Sequence, residues 1–423
     1  MAKKIRILQL APRFPFPADD GGKIGIANIL KEFTEQGADV TFFSFHDKGR
    51  NSVTPEALEE GKSYADIRLL EHSTKNSPYR IIKTFVNYQS IYIEKHINVR
   101  IINYISELIR EKKFDVVHAD HSCMARLALF VKKTCNIPAG LRLHNIEWII
   151  WKRYAENLKR FSPKRLYVEQ QTYFLRDEET KLFSKMDVCF PITEPDKQRA
   201  MELAPDGNYV VASAGVNPDE WNPYSNIIKK PNQIILATTY QWRHNIDAVK
   251  WFIEQVMPDL RKINPDITLI LIGKDQPKWL SKYSGLGVKP LGYVAQVQPY
   301  LNESAVYVAP LFVGGGIRIK IIEAMAMELP VVATPLAAEG INAKPEDGLI
   351  LSDDKDSFIK NILFLVKNPL YTKSLGKNAR KFVTKEFSWK KNVEIMLNEY
   401  SKLTKFNEQL KIKNCHNIIL YKV

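Results

Sequence analysis

Short apolar runs recur along this chain, each followed by a polar or glycine-bearing turn and then by a stretch whose apolar residues fall three and four positions apart. Residues 5–10 (IRILQL) open the series, and 38–45 (ADVTFFSF), 114–120 (FDVVHAD), 139–148 (AGLRLHNIEW) and 186–193 (MDVCFPIT) continue it. Unbroken apolar runs of that length fit strands buried on both faces, as in a parallel sheet. Between them, Ile101, Ile105 and Leu108 repeat along residues 99–111 and predict an amphipathic helix, and residues 151–184 read as one long basic helix. After a polar, proline-bearing segment, 222–232 (NPYSNIIKKPN), the rhythm restarts with 234–240 (IILATTY), a helix turning Val249, Phe252 and Val256 inward, and 267–273 (ITLILIG). The pattern predicts an α/β protein of two units, 1–225 and 226–390, followed by a helix and basic tail at 391–423.

The most informative stretch is 308–334, VAPLFVGGGIRIKIIEAMAMELPVVAT. It reads as a buried strand at 306–310, a turn of Gly314, Gly315 and Gly316, a helix, and a second strand at 331–333. A glycine turn opening a helix lets a diphosphate approach backbone N–H groups at the positive end of the helix dipole. Helical spacing puts Lys320 and Glu323 on one face over that turn, a cation for phosphate and a carboxylate for paired hydroxyls. Residues 11–33 (APRFPFPADDGGKIGIANILKEF) repeat the logic with Gly21 and Gly22, without the G-x-G-x-x-G spacing of a dinucleotide site. Asp20, just before them, reads as an N-cap.

A glycine triplet alone is a common loop, but its combination with EAMA and PVVAT is far more specific. Here the chain resembles the nucleotide-sugar glycosyltransferases of group 1, which have the GT-B architecture, and among them the bacterial polysaccharide-building branch carrying G-x-G-x-R-x-K-x-x-E-A-M-A-M. SAGVNPDEW at 213–221 resembles the family's P-N-G-V-D linker with its first two residues replaced. The resemblance implies two Rossmann-like doubly wound domains facing across a cleft. It implies a UDP- or GDP-sugar donor held by Gly314, Gly315, Gly316, Ile317, Arg318 and Glu323, with Gly21 and Gly22 approaching from the first domain. Lys320, Arg243 and His144 would serve catalysis, His144 by contacting the sugar or its leaving phosphate, although a backbone-satisfied histidine is an equal reading. The configuration would be retained, with no metal and no cofactor beyond the nucleotide sugar as co-substrate, and the acceptor would be a saccharide or a lipid-linked one. Two departures stand out: Thr239 falls where the family has an Arg, with Arg243 and His244 near its Lys, and Gly315 falls where most relatives have an acid. Phosphate charge would then be met from the helix by Arg318 and Lys320.

Other constellations read as structural. His118, Asp120 and His121 lack a third metal anchor and are expected to cap or to be solvated, and the D-x-D within 353–356 precedes a helix and is expected to cap it. Four cysteines without a C-x-x-C pair, and no apolar run near ~18 residues, point to free thiols and a cytoplasmic protein. The balance of 61 basic against 47 acidic residues, +14, favours anionic partners. It concentrates at 75–113, with eight Lys and Arg against three Glu, and at 151–185, with nine basic against five acidic. An anionic membrane surface, met as a peripheral protein at the inner face, is a candidate partner, with solvated helix faces the alternative. Nucleic acid is not expected, since no zinc, RNP or helix-turn-helix signature accompanies the charge. A phosphorylase, a sugar-nucleotide epimerase and a non-catalytic donor-binding scaffold remain as alternative functions.

Overall fold

A computed structural model describes residues 4–49, 52–314 and 316–420, with side chains described as far as residue 405. The chain divides into two compact units, Met1–Ser213 with Lys390–Val423, and Ala214–Trp389.

The first unit is built on a six-stranded parallel sheet of β1 (Arg6–Ala11), β2 (Asp39–His46), β3 (Asp66–Glu71), β4 (Val116–Asp120), β5 (Ala139–Leu143) and β6 (Val188–Pro191), ordered β3-β2-β1-β4-β5-β6. The second repeats it with β7 (Gln233–Ala237), β8 (Thr268–Ile272), β9 (Val288–Gly292), β10 (Val306–Ala309), β11 (Val331–Ala333) and β12 (Leu349–Leu351), ordered β12-β11-β10-β7-β8-β9. Every residue of β4, β5, β6, β7, β10 and β11 is buried. Helices cover both faces of such sheets, which is why these strands read as unbroken apolar runs. The helix Val99–Glu111, capped where the Asn98 side chain accepts from Ile101 N at 3.0 Å, buries Ile101, Ile105 and Leu108 as its spacing predicts.

In both units the chain changes its direction of winding between the first strand and the fourth, at β1/β4 and at β7/β10. Open α/β sheets bind ligands outside the carboxyl ends of the strands at such points. Topology therefore says where to look in each unit.

Three local features differ from or refine the sequence reading. The expected single helix over 151–184 is two, Glu147–Glu156 and Pro163–Phe183, because Pro163 lacks the N–H a continuing helix needs and instead starts a new one behind its Ser162 cap. Residues 222–232 lie in the second unit, where Tyr224 N donates to Asn302 Oδ1 at 3.0 Å and Lys229 Nζ to Glu328 O at 3.1 Å. Asp354 caps the helix Lys355–Lys367, its carboxylate accepting from Ser357 N at 2.7 Å, so the D-x-D is structural.

The last helix, Trp389–Leu420, returns to the first unit. Its Tyr400 is fully buried, with the phenol oxygen 2.6 Å from His118 Nδ1. Gly140 on β5 makes this possible, since a Cβ there would lie 2.1 Å from that oxygen. Among the described residues no helix is long and apolar enough to cross a membrane.

Candidate functional site

In the first unit, polar side chains gather at the carboxyl ends of β1, β4 and β5. Sheet register sets Gln9 opposite His118, and Gln9 Nε2 donates to Asp120 Oδ2 at 2.7 Å. Asp120 Oδ1 lies 3.6 Å from Arg142 Nη1 and 3.4 Å from His144 Nε2, and its Oδ2 lies 3.7 Å from His118 Nε2. Burial alone would push the Asp120 carboxyl up, but His118 foremost, with Arg142 beside it, outweighs burial and holds the group well below the usual range. His118 and Asp120 are thus neither caps nor solvated: the strand end that carries them is enclosed and its charges lie within 4 Å of one another, while His118 Nε2 and Gln9 Oε1 have no hydrogen-bond partner among the described residues. His121, at a left-handed φ of 72°, stacks on His144 with ring centres 3.7 Å apart.

His144 follows β5 directly and is buried. Arg142 Nη1 sits 2.6 Å from its Nε2. A guanidinium can only donate, so Nε2 accepts and the imidazole proton belongs on Nδ1. Burial, reinforced by the charge of Arg142, lowers this histidine to about 4. At neutral pH it is an uncharged ring of fixed tautomer, satisfied by a side chain rather than by backbone.

Gly21 and Gly22 are the first residues of the helix Gly21–Glu35. The N-terminal seat holds the chain's own Asp20, which accepts from Lys23 N at 3.0 Å and is paired with Arg13. Gly25, which no sequence motif singles out, lets this helix lie on the cluster: a Cβ there would stand 2.9 Å from Arg142 Nη1 and 3.0 Å from His144 Cε1.

In the second unit the glycine turn leaves β10 at the switch point. Gly314 and Gly316 have φ of +137° and +73°, conformations that suit glycine, while Gly315 lies outside the described residues. The helix begins at Ile319, later than the sequence suggested. Ile317 is buried, and Arg318 occupies the N-cap position with an extended backbone and no side-chain cap on the helix Ile319–Ala326. The turn therefore delivers a side chain as well as a helix end, and the Arg318 guanidinium lies where a Cβ on Gly314 would be, 2.3 Å from it.

One helical turn further on, Lys320 Nζ is 3.0 Å from Glu323 Oε2. Lys320 is partly exposed, whereas Glu323 is buried, and its Oε2 has no partner in hydrogen-bond geometry among the described residues. Burial raises the Glu323 carboxyl and Lys320 opposes the rise. A buried carboxylate whose charge partner is a partly exposed lysine keeps acceptor capacity for a ligand hydroxyl.

Arg243 opens the helix Arg243–Trp251 after β7. It is 84% exposed and bridges to Asp247 at 2.9 Å, within its own helix. His244 beside it is lowered by burial, and the charge of Arg318 adds to the fall. Thr239, standing where the family has an arginine, uses its carbonyl to accept from Asn245 Nδ2 at 2.8 Å.

Among the described residues no group of His, Cys, Asp and Glu could hold a metal. Sequence reasoning missed Gln9, Arg13, Gly25, Arg142 and Tyr400. Only Arg142 left a readable signal: an arginine inside the apolar run GLRL has to find a counter-charge once the strand is buried.

Residues 232–368 match the family model described as "Glycosyl transferases group 1". Over 409 residues the chain is 22% identical to a 44.6 kDa protein in the cps region of Klebsiella pneumoniae, covering 91% of this chain and 97% of the relative. Sucrose-phosphate synthase from Thermosynechococcus elongatus superposes with a TM-score of 0.70 at 16% identity, over 95% of this chain and 99% of that one. Anabaena Alr3699/HepE, in complex with UDP-glucose, superposes with a TM-score of 0.64 at 13% identity, over 94% and 100%.

Proposed function

We propose that this chain is a group 1 glycosyltransferase, a reading supported by the family match over residues 232–368 and by the GT-B fold, and that it moves a hexosyl group from a UDP- or GDP-sugar to a saccharide or lipid-linked acceptor. The configuration is retained, no metal takes part, and the product belongs to cell-surface polysaccharide. The observation that carries this reading is the second unit's turn, where Gly314, Gly316, Arg318, Lys320 and the buried carboxylate of Glu323, paired with Lys320, lie within ten residues of chain.

Each part has a role in diphosphate departure. The uncapped helix end presents backbone N–H groups, and Arg318 and Lys320 add positive charge where negative charge grows as the sugar leaves. Each well-placed donor of this kind is worth on the order of 3 kcal/mol. Glu323 accepts from paired hydroxyls of the donor. With glycine at 315, that position offers no second carboxylate to pair with Glu323 for double displacement. In the first unit His144, neutral and with its proton on Nδ1, offers a hydrogen bond to a sugar hydroxyl. A uridine donor is favoured by the UDP-glucose complex of the Anabaena protein, and a polysaccharide role by the cps-region relative.

A thermal-shift series with UDP, GDP, ADP and their common sugars tests the donor, because a ligand bound only by the folded state raises the melting temperature. UDP or GDP and its sugar should stabilise the protein while ADP does not. Nucleotide released only when an acceptor is added identifies a transferase. Binding without any release would instead support the donor-binding scaffold.

A further inference from the structure

Glu179 lies fully buried on the helix Pro163–Phe183, and no step of the proposed transfer uses it. Its carboxyl group reaches past its own helix to the segments that leave β4 and β5. Oε1 accepts from Ser122 Oγ at 2.8 Å and from Glu147 N at 3.3 Å, and Oε2 accepts from Trp148 N at 3.1 Å. Ser122 follows β4 and is itself buried, while Glu147 and Trp148 open the helix Glu147–Glu156 that follows β5. That helix has Ile146 at its N-cap position and no side-chain cap there. Its first two N–H groups therefore depend on a residue 32 and 31 positions further along the chain.

These two segments carry the stacked histidines. His121 directly precedes Ser122, and His144 stands three residues before Glu147. Their ring centres are 3.7 Å apart. Because Ser122 Oγ and Glu147 N share Glu179 Oε1, a single buried oxygen ties together the two stretches of backbone from which the rings project. The adjacent Glu178 has other partners, accepting from Ser90 N at 3.2 Å and from Arg126 Nη2 at 2.7 Å.

Burial raises the Glu179 carboxyl to about 8, and nearby Glu147 adds to the rise. The protonated group fits its neighbours as well as the ionised one does. Its O–H donates to Ser122 Oγ, which accepts as readily as it donates, and lone pairs remain for both backbone N–H groups. The place thus calls for hydrogen bonding rather than for charge. A side-chain amide of the same shape meets that need, whereas a hydrocarbon leaves three donors without an acceptor.

We propose that Glu179 is a positioning residue for the transfer, fastening the segments after β4 and β5 to each other so that His121 and His144 keep their stacked arrangement. The inference rests on the reading of His144 as a group that meets the sugar, and Glu179 acts through that ring. The test follows histidine ring signals by NMR in the full-length protein carrying isotope-labelled histidine, with no substrate present. Spectra of His121→Gln and His144→Gln identify the two signals. Glu179→Leu should displace both and quicken amide exchange at Glu147 and Trp148 at least ~10-fold, the ratio for a lost hydrogen bond. Glu179→Gln should keep the wild-type ring signals, and so should Glu178→Gln. Should Glu179→Leu fail to fold, Ser122→Ala takes its place and should displace the His121 signal. Unmoved ring signals in the folded variant, or equal displacement by Glu178→Gln, would overturn the proposal. With no donor in the sample, that failure would leave the transfer reading standing. Wild-type turnover of a sugar nucleotide by His144→Ala is the separate result that would overturn the use of the ring in transfer.

Discussion

In the first unit the charges at the end of β4 are all buried. Asp120 lies within 4 Å of Gln9, His118, Arg142 and His144, every one of them buried, and His118 Nε2 and Gln9 Oε1 make no hydrogen bond among the described residues. At the matching place in the second unit only the carboxylate is buried: Glu323 pairs with Lys320 at 3.0 Å, Lys320 is partly exposed, and Arg243 turns into solvent. Two sheets of the same strand order thus place charge differently. A buried network stabilises its fold and holds a ring in one protonation state, whereas cations at the surface stay within a ligand's reach.

Substitutions on the two carboxylates should divide along that line. Asp120→Ala strands Arg142 in the interior and should cost about 3–5 kcal/mol in denaturant unfolding, the loss expected when one partner of a buried pair is removed. Glu323→Gln should leave stability within about 1 kcal/mol and lower affinity for the nucleotide sugar by ~10–100-fold, read by calorimetry. Equal stability losses at the two positions would erase the distinction. Gly140→Val forces a side chain into the space of the Tyr400 phenol and should cost about 1–3 kcal/mol, with donor affinity unaltered.

Acid sharpens the contrast. His144 is lowered to about 4 in the fold from an ordinary value near ~6.5, so between those values the unfolded chain binds more protons than the folded one. Stability tied to this ring is complete above that window and is lost as pH falls through it. Subtracting the profile of His144→Gln from that of wild type cancels the other titrating groups, and the difference should decline on acidification by about 1 kcal/mol or more over a pH unit. A flat difference would mean that burial and Arg142 together do not hold the ring neutral. The smallest expected effect is that of Arg243→Ala, within about 0.5 kcal/mol in stability, since its ion pair is exposed and lies within one helix. A large fall in turnover at that unchanged stability would place Arg243 on the departing diphosphate.

Much of the architecture was legible because parallel strands buried on both faces must be apolar throughout, and runs such as IRILQL and ITLILIG, too short for buried helices, fit little else. The glycine turn was legible for a similar reason, since positions that need positive φ restrict residue choice strongly. The buried cluster was not. Gln9 and Asp120 are 111 residues apart and Arg142 lies on a third strand, so only the sheet's register makes them neighbours. Reading His118 and Asp120 as solvated came from treating polar residues at a strand end as surface groups, and the helix over Gly25 together with Tyr400 encloses them instead.

The phenol of Tyr400 reaches His118 across 282 residues of sequence. During synthesis the whole of Ala214–Trp389 leaves the ribosome as one uninterrupted segment, able to close its own sheet at once. The unit translated before it has to wait, with a vacancy over Gly140, until residue 400 has emerged. Of the two units the one begun first is therefore finished second, and a chain cut near Trp389 would have a complete second sheet and a first one still lacking its plug.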